Sequence, residues 1–121
     1  MKKSSTSLMF FGVYLIGMGL GLLLMPNMVL KVFGIPASDE VWPHVVGVLA
    51  LVLAYYYISA ARADVRLFAQ WTVPARITVF VAFTAFVFAG LVGPVMILLG
   101  SVDLLGALWT GWALRGENIA K

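Results

Sequence analysis

PVMILLGSVDLLGALWTGW, residues Pro94–Trp112, is the stretch whose reading decides the fold. An apolar helix of about 20 residues crosses a bilayer, and this run has that length with one ionisable residue, Asp103, near its middle. A carboxylate at that depth costs about 2.5–3.5 kcal/mol on insertion scales, so it faces protein or water rather than lipid. Helical spacing puts Gly100, Gly106, Ala107, Thr110 and Gly111 on the face of Asp103, with Leu98, Leu105, Leu108, Trp109 and Trp112 opposite. Small residues admit a neighbouring helix and bulky ones suit lipid. The expectation is a membrane helix with a buried polar spot at Asp103.

Working outward, composition agrees. The chain has 121 residues, 63% of them hydrophobic and 11% charged, which inverts the balance of a soluble globular domain. The expectation is one domain, 1–121, most of it in the membrane. With no cysteine, disulfides, thiolate metal sites and cysteine catalysis are excluded. A sequence pI near 9.5 invites a nucleic-acid reading, but that requires a basic surface which so apolar a chain does not offer.

Three more apolar runs precede the first, giving expected helices at about 8–25, 43–61, 73–90 and 94–113. The residues from Met1 to Ser7 read as a short polar start. The run Leu8–Met25 is longer than a signal-peptide core and lacks an Ala-x-Ala cleavage site, so a retained span is expected. Gly17 and Gly21 form a GxxxG pair on the face of Tyr14, with Gly12 and Gly19 opposite. One pair is expected to pack inside the monomer (the Gly17 face) and the other between monomers (the Gly12 and Gly19 face), giving a homo-oligomer through helix one. Pro26 ends this helix, and Met28–Phe33 reads as a short interfacial helix stopped by Gly34. Ser38, Asp39 and Glu40 mark the start of the second span. Its inner face is Gly47, Ala50, Ala54 and Ala61 with Tyr57 beside them. Arg62–Trp71 is expected as the main polar loop, Thr72 as a cap and Pro74 in the first turn of the third span. Thr78, Ala82, Ala85 and Ala89 form that span's small-residue stripe, opposite Phe80, Phe83 and Val87.

Four spans put the N-terminus, the middle loop and the C-terminus on one side. Lys2, Lys3, Arg62, Arg66, Arg76, Arg115 and Lys121 lie there, seven of the eight basic residues, leaving only Lys31 across the membrane. The positive-inside rule makes that side cytoplasmic. The expected architecture is therefore an all-α membrane protein, an antiparallel four-helix transmembrane bundle with both termini cytoplasmic.

Depth then groups the polar residues. Asp103 lies near the midplane, and Tyr14 and Tyr57 about 4–8 Å toward the cytoplasm. Arg76 is about one and a half turns below the midplane, within an arginine's reach, and Thr110 faces as Asp103 does. Asp103, Arg76, Tyr14, Tyr57 and Thr110 are the candidate ligand-binding residues. The structural reading of the same residues is an Asp103–Arg76 pair that locks helix three to helix four. His44 beside Asp39 and Glu40 reads as a surface residue, too few ligands for a metal. GxSxG, HExxH and phosphate-loop patterns are absent, so neither catalysis nor a cofactor is expected.

The segments Tyr55–Arg62, Trp71–Arg76 and Asp103–Thr110 resemble small, uncharacterised four-helix bacterial membrane proteins of the DoxX-like kind. The resemblance implies a four-helix bundle in the bacterial inner membrane with both ends cytoplasmic and no settled activity; some DoxX-like proteins are linked to redox partners or act as accessory subunits. Two functional readings stand on the sequence. In one, a non-catalytic bundle binds a small apolar or lipid-like ligand or a membrane partner. In the other, a small proton-linked permease works through Asp103, although the inverted repeats and broken helices common in transporters are not visible.

Overall fold

A computed structural model describes residues 2–120, with side chains described as far as position 116. It is all-helical: α1 Lys3–Leu24, α2 Pro26–Val32, α3 Trp42–Arg62, α4 Arg66–Phe88 and α5 Val95–Ala120. Four of these, all but α2, are long and apolar enough to cross a membrane. Met1 and Lys121 lie outside the described residues.

The helices are longer than the apolar runs that announce them. α1 begins at Lys3, and Ser4, Ser5 and Ser7 are buried in its first turns. The polar start is thus helix, because intrahelical bonds absorb the hydroxyls: Ser7 Oγ donates to the Ser4 carbonyl at 2.6 Å and Thr6 Oγ1 to the Lys2 carbonyl at 3.1 Å. Most of the expected loop Arg62–Trp71 is likewise helical, since α4 starts at Arg66. Thr72 is then no cap and Pro74 lies inside α4, where the lost backbone bond is tolerable in a bundle. Pro26 does end α1, and it opens α2, which stops at Gly34 with φ of +70°. Ser38 accepts a bond from the Glu40 N–H at 3.1 Å, but α3 starts later, at Trp42.

α1 is the central helix, packing on α3, on α5 and, more lightly, on α4, while α4 packs on α5. Its tightest seam is with α3. A Cβ on Gly19 would lie 2.9 Å from the Gly47 carbonyl oxygen, and one on Gly47 would lie 2.8 Å from that of Gly19. Two backbones can approach so closely only where both lack side chains. Gly12 fits likewise against Tyr57 and Ile58. This corrects the expected division of faces. Gly12 and Gly19 serve the packing of α1 on α3, Gly21 meets Val29 of α2, and a Cβ on Gly17 would meet nothing within 4 Å among the described residues outside its own turn of helix. A helical wheel separates the two faces but cannot say which one meets α3.

α4 brings a second correction. Of its stripe, Thr78, Ala85 and Ala89 are exposed and Ala82 is half-buried, while the Phe80 backbone and the Phe83 side chain face Gly100 of α5. The glycine lets α5 approach the backbone of α4 beside the Phe83 ring, so this side of α4 turns inward. The inner faces read from sequence for α3 and α5 hold: Ala54, Ala61, Ala107 and Thr110 are buried, and Leu98, Leu105, Leu108 and Trp112 are exposed.

Candidate functional site

Arg76 is 2% exposed. A buried guanidinium needs acceptors, and Thr72 of its own helix and Thr110 of α5 supply them. Nη2 donates to Thr110 Oγ1 at 2.6 Å and to Thr72 Oγ1 at 3.0 Å, and Nε donates to the Thr72 carbonyl at 3.3 Å. Arginine has donors only, which fixes the direction of the rest. Thr110, accepting from Arg76, can donate to Ser7 Oγ at 2.6 Å, and Ser7 donates onward to the Ser4 carbonyl. Thr72 Oγ1 donates to the Ala69 carbonyl at 2.8 Å. One hydrogen-bonded chain therefore ties α4 to α5 and α5 to α1.

Aromatic rings close over it. The Arg76 guanidinium carbon sits 4.9 Å from the Phe11 ring centre and 5.8 Å from that of Tyr57, a cation–π arrangement that stabilises a desolvated cation. Phe11 is the hub, 5.1 Å from Tyr57 and 5.5 Å from Tyr14 between ring centres. Gly106 makes room for the guanidinium, since a Cβ there would lie 2.9 Å from Nη1. Among the described residues Nη1 has no hydrogen-bond partner.

Asp103 stands outside this network. The hydrogen bonds of Arg76 go to threonines and none to Asp103, although the two are near enough to feel each other's charge. Asp103 instead faces a cleft of about 240 Å³ between α1, α3, α4 and α5. Tyr14, Leu15 and Met18 line it from α1, Val46, Leu49 and Leu53 from α3, Phe83 from α4 and Leu99 from α5. The cleft exists because α3 and α4 meet closely only beside their connection, where Tyr57 and Phe68 lie 5.3 Å apart edge to face.

The five residues singled out from sequence thus fall into two groups. Arg76, Thr110 and Tyr57 come together in the buried network, while Asp103 and Tyr14 share the cleft, with Phe11 between the groups. Sequence reasoning missed Ser7, Thr72 and Phe11. The signal for Thr72 is in the sequence: it stands four residues before Arg76, the helical spacing at which side chains meet, although its place just ahead of Pro74 also reads as a cap. His44 donates from Nδ1 to the Leu23 carbonyl at 3.0 Å, tying the start of α3 to the end of α1. Among the described residues no group of three His, Asp or Glu side chains is placed to hold a metal ion.

Comparison with known proteins finds no matching family model, no matching curated protein and no matching solved structure.

Proposed function

We propose that this protein is a non-catalytic integral membrane bundle that binds a small apolar, lipid-like ligand in the cleft at Asp103. One observation carries the reading: the membrane-embedded carboxylate opens into an apolar cleft while Arg76, its expected partner, is hydrogen-bonded elsewhere. An acid that locked two helices would be spent on its counter-charge. One left facing a cleft marks a ligand site. The permease reading is less well supported, because α5 runs unbroken through Asp103 and transport sites favour interrupted helices.

The bundle is antiparallel in this proposal, supported by contact pairs that ascend one helix and descend the next: Gly12 with Ile58 and Gly19 with Leu51, and Phe83 with Gly100 and Val73 with Gly111. Both termini are cytoplasmic, as the basic residues require, and the location is the bacterial inner membrane. Kinship with DoxX-like proteins and an accessory role for a membrane partner belong to the same proposal. Self-association runs through the outward face of α1 around Gly17, the face left free once α3 occupies Gly12 and Gly19.

The test is a diazirine-bearing alkane photoprobe on the protein in nanodiscs. Labelling of Met18, Leu49 and Leu99, lost when Leu53→Trp fills the cleft, supports the reading. Labelling confined to outward residues such as Val81, Phe88 and Leu98 overturns it.

A further inference from the structure

The cleft's chemistry narrows the ligand class, an inference that rests on the binding reading above. Asp103 accepts no hydrogen bond among the described residues, yet its carboxylate is not among the sealed side-chain atoms left without a hydrogen bond there, as Arg76 Nη1 and Thr84 Oγ1 are. The oxygens are therefore both unclaimed and reachable from the cleft. No lysine or arginine lines that cleft. The nearest cation, Arg76, is held by Thr72 and Thr110 and enclosed by Gly106 and Phe11.

We propose that the cleft takes a cationic amphiphile, an alkylammonium whose head meets the Asp103 carboxylate and whose chain lies along Leu15, Met18, Leu49 and Leu53. Charge selects this class. A carboxylate in apolar surroundings is stabilised by a paired cation that can also hydrogen-bond to it. A neutral amphiphile covers the carboxylate without neutralising it, which is costly, and an anionic one meets a like charge. The route is lateral. α3 and α4 pack only near their connection, and the apolar cleft-wall residues Val46, Leu49 and Leu53 are exposed, so a membrane-dissolved molecule enters without crossing a polar barrier.

The experiment compares octylammonium, octanol and octanoate as ligands of the purified protein in nanodiscs, with Asp103→Asn, Asp103→Glu and Leu53→Trp alongside. Expected is at least tenfold tighter binding of octylammonium than of octanol, equivalent to about 1.4 kcal/mol. Asp103→Asn should abolish that preference, Asp103→Glu should keep it, and Leu53→Trp should block binding of both molecules. Octanol binding as tightly as octylammonium, and blocked by Leu53→Trp, would overturn the cationic class while leaving the cleft a binding site. Absence of binding by all three molecules would overturn both the class and the site. A preference for octylammonium that survives in Asp103→Asn would overturn the assignment of Asp103.

Discussion

Arg76 Nη2 and Thr110 Oγ1 lie 2.6 Å apart across the seam between α4 and α5, and Thr110 passes the contact on to Ser7 of α1 at the same distance. The buried arginine is therefore a clamp for three helices, built from hydroxyls.

Thr110→Val keeps the shape of this position and deletes its oxygen. The Arg76 guanidinium then loses an acceptor while staying buried, and Ser7 loses a partner. Stability should fall by about 1–2 kcal/mol, between the value of a hydrogen bond to a charged group and the smaller values typical within bilayers. Thr110→Ser, which keeps the hydroxyl, should fall by less. Thermal melts of both variants in one detergent check this.

The glycines of α1 give contrasting expectations. A side chain at Gly19 meets the Gly47 backbone, which cannot move aside as a flexible side chain can. Gly19→Leu should cost at least about 1–3 kcal/mol through overpacking. Gly17→Leu meets open space and should leave the monomer at least as stable, since leucine is the better helix former. It should weaken self-association, measured by sedimentation in a density-matched detergent.

Asp64 sits between α3 and α4 at a φ of +52°, and its carboxylate reaches the start of α1. Hydrogen bonds from the Ser5 hydroxyl and from the Lys2 backbone N–H, the latter at 3.1 Å, hold it below the usual carboxylate range. A group with a depressed value stabilises the fold above its ordinary titration range, and that stability is lost as pH falls through the depressed value. Melting temperature should therefore drop as the medium is acidified below about pH 4, the ordinary aspartate range. Asp64→Asn should flatten that drop without changing the behaviour near neutrality in kind.

Orientation is checked by reporter fusions. Fusions after Lys121 and within the Ala63–Val65 connection should report the cytoplasm, and one in the Pro36–Glu40 segment the opposite side. A periplasmic signal from the C-terminal fusion would remove both the orientation and the even number of spans.

The four long helices and the inner faces of α3 and α5 were legible in the sequence because each is a lipid-length run with its small residues on one side. The ends of the helices were not. Ser4, Ser5, Ser7 and Thr72 look like non-helical punctuation, and only tertiary neighbours and intrahelical carbonyls turn their hydroxyls into helix-compatible groups. Arg76, Phe80 and Phe83 share a face by helical spacing, but spacing does not show that this side is the one that meets α5. Asp103 was found by its depth alone. Its separation from Arg76 depends on Thr110 and Thr72 reaching the guanidinium first, a competition that spacing along one helix does not reveal.

The central claim is that the fold makes no use of the Asp103 carboxylate, and a double-mutant cycle over Arg76→Gln and Asp103→Asn tests it most directly. Stabilities of the parent, both single variants and the double variant are measured by thermal or denaturant unfolding in one detergent. Expected is Asp103→Asn within about 0.5 kcal/mol of the parent, Arg76→Gln lower by about 1–3 kcal/mol, and a coupling term below about 1 kcal/mol. Asp103→Asn as damaging as Arg76→Gln, with coupling above that value and recovery in the double variant, would contradict the claim and make Asp103 a structural partner of Arg76.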